Sequence, residues 1–133
     1  MIGKKILIAV LAVLVIIFLV CELVPIRFGW AYKNDLVITS PDGKYQLLVR
    51  EGGTLGGTAA EIYAIDPKLP MLLNKFIKTE IGRTSADDSV YPFFDGNYEI
   101  LWEEDCVTIY YFSGRECETS DISTWQKVTC KLP

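Results

Sequence analysis

Hydrophobic and polar positions follow two regimes along this chain. From Ile6 to Cys21 sixteen consecutive residues are apolar, thirteen of them Ile, Leu, Val or Phe, and Lys4 and Lys5 stand directly before them. From Asp35 onward apolar residues instead alternate with polar ones in short runs punctuated by Gly, Pro, Asp and Asn. The first regime predicts a membrane span, the second a set of strands.

Those thirteen residues supply about −4 to −8 kcal/mol toward insertion. Sixteen helical residues cover roughly 24 Å, and continuation to Val24 gives about 28 Å, enough for a hydrocarbon core. A transmembrane anchor over 6–24 is therefore expected, containing Ile6, Leu11, Val15, Phe18 and Val20. Phe28, Trp30 and Tyr32 follow, and Trp and Tyr favour the membrane–water interface; Arg27 and Lys33 can meet phosphates there. Residues 25–34 are read as a juxtamembrane linker. The same aromatics also suit the start of a folded core. Lys4 and Lys5 place residues 1–5 in the cytoplasm and the rest outside by the positive-inside tendency. A cleaved signal peptide is the rival, with Gly29-Trp30-Ala31 as its nearest small-x-small site. A lipoprotein reading would use Cys21, which follows Val20 rather than a small residue.

Residues 35–133 read as one small antiparallel β domain, a sandwich or a curled meander. Leu36–Thr39 is a short strand, and Ser40-Pro41-Asp42-Gly43 a turn. Lys44–Glu51 alternates with Tyr45, Leu47 and Val49 on one face. The glycines of 52–57 break the chain as a mobile hairpin tip, and Ala59–Ile65 is the next strand. Met71–Lys78 fits a helix and a strand equally. Gly82–Ser89 reads as polar loop, and Val90–Phe94 as an edge strand broken by Pro92. Asp95-Gly96-Asn97 is a hairpin turn. Tyr98, Ile100 and Trp102 keep period two, Glu103-Glu104-Asp105 turns the chain, and Cys106–Phe112 is a strand rich in β-formers. Ser113–Thr124 is a polar excursion, and Trp125–Leu132 closes the domain with Val128, Cys130 and Leu132 on one face.

Beyond the anchor the charge is acidic: all 17 acidic residues lie at or after Glu22 against 11 of the 13 basic ones, a net of −6. With no basic cluster, nucleic-acid binding is not expected. Three cysteines lie in this part. Cys117–Cys130 and Cys106–Cys130 are both open as disulfides, as is a set of three unpaired thiols. The chain has no His, so a Ser-His-Asp or Cys-His site is excluded and a zinc site is not expected. No cofactor is implied.

Ser40-Pro41-Asp42-Gly43-Lys44-Tyr45 before an alternating strand resembles the opening of a propeller-type blade. Ile100-Leu101-Trp102-Glu103-Glu104-Asp105-Cys106-Val107-Thr108-Ile109 is similar to the W-x-(D/N)-D-x-(V/I)-x-I close of such sheets. One blade cannot close a propeller. With the N-terminal anchor, the motifs more closely resemble small exported proteins of Gram-positive bacteria grouped as DUF5412-like. The resemblance covers residues 36–112 and implies a membrane-tethered β domain. It implies no known activity and supplies no site residues.

The candidate chemistry is sparse. Paired carboxylates at 103–105 and at Asp87 and Asp88 suit a surface hydrolase only if two face each other across a cleft; solvated turn charge is the simpler account. Asp95–Glu99 offers oxygen ligands but lacks the calcium-loop pattern. Tyr91, Phe93 and Phe94 around Pro92 form the expected partner patch, since aromatics concentrate at interfaces. The favoured expectation is a non-enzymatic, single-pass tethered domain that binds a protein or envelope component, with strand addition as one mode. A carboxylate hydrolase and an accessory or immunity-type subunit of a membrane complex are the alternatives.

Overall fold

The apolar run forms one helix, α1 (Ile2–Leu23), in a computed structural model that describes residues 2–23, 26–27 and 30–133, with side chains described for 2–20 and 34–133. Its 22 residues reach roughly 33 Å. The stretch Ile2–Val20 is long and apolar enough to cross a membrane, and none of it is buried against the rest of the protein. A signal sequence meets the same test of length and composition.

The remainder is mostly β. A five-stranded antiparallel sheet runs in the order β1 (Ile26–Arg27), β2 (Trp30–Thr39), β3 (Gln46–Thr54), β4 (Gly57–Ile65), β5 (Thr79–Ala86), and a three-stranded one joins β6 (Tyr98–Trp102), β7 (Cys106–Tyr111) and β8 (Gln126–Lys131). Two single-turn helices, α2 (Met71–Asn74) and α3 (Pro92–Asp95), sit in the connections. The inner face of the first sheet contributes Leu47, Val49, Ala60 and Ile62 to the core. The second contributes Val107, Ile109, Tyr111, Cys130 and Leu132, and Phe93 of α3 packs between them.

The sheets approach closely at one point because a side chain is missing there. A Cβ on Gly82 of β5 would lie 2.5 Å from the Cys130 Sγ on β8. Gly82 therefore makes room for a thiol that is fully buried. The expected polar loop at 82–89 is therefore strand as far as Ala86 and loop only at 87–89: β5 reaches from Thr79 to Ala86, with Arg83 and Ser85 facing out and Thr84 buried.

Three further expectations change. The stretch 25–34, read as a linker, supplies β1 and the first half of β2, with Ala31 opposite Gly53 and Tyr32 opposite Gly52. The glycines at 52–53 do not break β3; their backbone groups are satisfied by β2 and β4, as pairing of buried amides requires. The real turn is only Leu55-Gly56, where Gly57, at φ +150°, leaves no room for a Cβ against the Ala86 carbonyl oxygen, 2.6 Å away. Val90–Phe94 is no edge strand, because Pro92 takes the first helical position of α3, where its missing N–H costs nothing. Gly96, at φ 77°, closes that helix rather than a hairpin.

The ladders also set where the loops lie. Thr39, Gln46 and Ile65 are register neighbours at one end of the first sheet, and Ala31, Gly53, Thr58 and Ala86 at the other. The connection 66–78 and the turn 40–45 thus share the end away from β1. The hairpin tip 54–57 shares the end where the chain arrives from α1.

Candidate functional site

The connection 66–78 owes its shape to one polar side chain. Asn74 is fully buried. Its amide donates to the Asp66 and Leu69 carbonyls at 2.9 and 3.3 Å and its Oδ1 accepts from the Asp66 N–H at 3.2 Å. A loop that satisfies its own backbone this way has no need to bury its apolar side chains. Met71, Leu72, Leu73 and Ile77 accordingly face solvent, Leu72 and Ile77 at 59% and 61% exposure. Phe76, Ile77, Lys78, Ile65 and Pro133 line a hollow of about 490 Å³ beside them. Lys78 lies 5.0 Å above the ring of Tyr63. Lys68, Lys75 and Lys78 make this loop basic within an acidic domain.

At the same end a second cleft, of about 320 Å³, is lined by Ser40, Asp42, Lys44, Tyr45, Trp102 and Glu103. The two blade-like motifs, 40–45 and 100–109, therefore meet in space. Ser40 Oγ donates to Asp42 Oδ1 at 2.6 Å and accepts from the Tyr45 N–H at 3.0 Å. The bond to Asp42 holds its carboxyl below the ordinary range, with the Lys44 N–H adding to the effect. Lys44 Nζ stands 5.1 Å over the Tyr45 ring. These interactions account for the motif as turn chemistry.

The expected partner patch divides. Phe93 is core, 3% exposed, with its ring 5.2 Å from that of Tyr98 and 6.4 Å from that of Tyr111. Tyr91 is half-buried and lies over Gly53. Phe94 alone of the three faces outward. The helical turn at Pro92 separates neighbours that a strand would have kept on one edge. Ile6, Leu11, Val15, Phe18 and Val20, expected in a membrane anchor, are all exposed. Phe28 and the side chains of Trp30 and Tyr32 lie outside the described residues.

Cys106, Cys117 and Cys130 are free thiols. The register explains why Cys106 and Cys130 do not pair. Val107 stands opposite Cys130, so Cys130 shares the core face with Val107 while Cys106 points the other way. Cys117 Sγ lies 3.3 Å from Ser113 Oγ. The Glu103 carboxylate, which accepts from the Cys106 thiol at 3.2 Å, pushes that thiol's pKa up, and burial does the same for Cys130. Both are therefore poor nucleophiles.

Two buried carboxylates escaped the sequence reading. Glu51, 1% exposed, continues the inward face of Leu47 and Val49; its Oε2 and Oε1 accept from the Phe93 and Phe94 N–H groups at 3.0 and 2.8 Å. Burial raises its pKa, an effect that those two amides oppose. Glu61 lies on the outer face, in a row of alternating charge formed by Asp35, Arg50, Glu61 and Arg83 on four successive strands. Arg50 Nε meets Asp35 Oδ1 at 3.1 Å, and Glu61 accepts the Tyr63 hydroxyl. Each buried charge has the partner that burial demands. Glu51 and Glu61 occupy opposite faces of one sheet, so they do not form a facing pair.

No protein-family model, curated protein or solved structure matches this chain.

Proposed function

We propose that the chain is a single-pass, membrane-tethered β domain that acts by binding rather than catalysis. The N-terminus lies inside, the β domain outside, and the apolar loop at 71–77 docks a protein or envelope partner. The observation that carries this reading is the outward display of Met71, Leu72, Leu73 and Ile77 by a loop that Asn74 braces internally. Grouped exposed apolar side chains mark interaction sites, and these sit at the end of the sheet away from the arrival of α1. The lysines around them favour an amphipathic partner segment with acidic flanks.

The test joins topology with docking. External protease on intact cells producing the full chain should remove the β domain and leave an uncleaved N-terminus in the membrane. Protection of the domain would overturn the orientation. A photoreactive residue at Leu72 should give a discrete crosslinked product that Ile77→Asp abolishes. The same product from a reactive residue at Ser120, at the other end, would show that this loop is not the docking surface.

A further inference from the structure

We propose that the β3–β4 hairpin tip, Thr54-Leu55-Gly56-Gly57, is a second membrane attachment, seated in the interface of the bilayer that α1 crosses. The proposal rests on the anchor reading of α1 and adds a role for a segment that the fold leaves idle.

Leu55 is 99% exposed, more than any other large apolar side chain among the described residues. Nothing lies within 4 Å of a Cβ built on Gly56, so at 55 and 56 the fold would accept polar residues without strain. A lone exposed Leu carries little information; here its setting does. Residues 52–60 contain no ionisable side chain, although the external part of the chain is strongly acidic. A neutral tip with one projecting aliphatic residue, flanked by small residues that let headgroups approach, suits the boundary between headgroups and acyl chains.

Its position agrees. The chain leaves α1 at Leu23 and enters β1 at Ile26, a step of at most about 11 Å. Ile26 pairs with Ala31, and Ala31 with Gly53, two strand spacings of about 5 Å each. Leu55 is two residues further along. The tip is therefore tethered close to the membrane surface. The loop at 71–77 lies the other way, beyond Ile65, seven residues along β4 from Thr58, the register neighbour of Gly53, or about 23 Å. Gly56 also borders a cleft lined by Asp87, Arg115 and Glu116. Asp87 and Arg115 lie 3.9 Å apart, and these polar groups belong at the hydrated headgroup level behind the tip. The attachment is thus apolar, without preference for anionic lipid and insensitive to salt.

The test uses the full chain in phosphatidylcholine vesicles with a nitroxide at Gly56→Cys, Leu55 retained, in a background with Cys21→Ala, Cys106→Ser and Cys117→Ser; buried Cys130 stays. Expected is an oxygen-to-nickel-chelate accessibility ratio several-fold above that of a label at Ile77→Cys, unchanged in high salt. Leu55→Asp should return the ratio to the aqueous value. A label at 56 as water-exposed as one at 77, or a ratio that collapses in high salt, overturns the proposal. Flotation with lipid after an alkaline wash reports separately on the anchor. A chain that floats with an aqueous tip overturns only the tip attachment; one that fails to float overturns both readings.

Discussion

The two ends of the first sheet use the same device to opposite effect. At the end nearer α1, the buried carboxylate of Glu51 takes the amides of Phe93 and Phe94. Thr58 donates to the Val90 carbonyl, and the Asp87 N–H to the Ser113 carbonyl at 2.9 Å. These bonds tie the connections between sheets down onto the core, and Phe93 goes inside with them. At the far end the buried amide of Asn74 satisfies only its own loop, and Met71, Leu72, Leu73 and Ile77 stay outside. A buried polar group that reaches across the fold closes the core. One that reaches only its own backbone builds a platform.

The largest expected effect sharpens that contrast. Phe93→Ala should destabilise the domain by about 3–5 kcal/mol, the range for emptying a buried aromatic site. Phe94→Ala, one residue on and half exposed, should cost under about 1 kcal/mol. Denaturant unfolding of the full chain, followed by tryptophan fluorescence, checks both. Equal losses would show that α3 does not divide inside from outside as described.

Next comes the platform. Asn74→Ala strands the Asp66 N–H and the Leu69 carbonyl and leaves the Asp66 carbonyl with only the Leu69 N–H, and should cost about 1–3 kcal/mol. Its sharper readout is local: amide exchange should rise through 66–78 while the Glu51 end keeps its protection. A loss of protection at both ends together would mean that they form one cooperative unit.

How much of this was legible follows from the range of each interaction. Tyr98–Trp102 shows its period because one face of β6 is solvated, alternating half-buried and exposed, whereas Cys106–Tyr111, with no exposed residue, was legible from its Val, Thr, Ile and Tyr content. The helix α1 was legible for an equally local reason, an unbroken apolar run. β3 showed its alternation, with Leu47 and Val49 on the core face, but not the burial of both its faces from Leu47 to Glu51, because Arg50 and Glu51 inside a strand read as surface. The role of Glu51 depends on amides 42 and 43 residues away, which no local pattern announces. β5 was missed because Gly82 looks like a loop residue until Cys130 is seen packing against it. The apolar face of 71–77 was visible as Leu72, Leu73, Phe76 and Ile77, but whether it turned in or out depended on Asn74.

A smaller effect comes from Glu51 through pH. Its carboxyl has a raised pKa in the fold because burial disfavours the charge. The folded state therefore holds the proton more tightly than the unfolded chain does. That contribution to stability is fully present below the ordinary value of 4.5 and is lost as pH rises through the folded value. Glu51→Gln cannot titrate, so the stability of the native chain should fall relative to this variant as pH rises from below 4.5 toward neutrality. A constant difference across that window would mean that the Phe93 and Phe94 amides fully offset the burial.

The smallest expected effect separates the ends by function. Leu72→Ser and Leu55→Ser each replace an exposed apolar residue outside the core, and each should leave unfolding within about 0.5 kcal/mol of the native chain. A larger drop at either position would show that its side chain is structural and would remove the reason for assigning it a binding role. With stability matched, the variants should part. Leu72→Ser should weaken capture of the crosslinked partner and leave the tip's depth unchanged. Leu55→Ser should draw the tip toward water and leave partner capture intact. If either variant disturbs both readouts, the two ends do not act independently, and the domain lies along the membrane instead of standing on it.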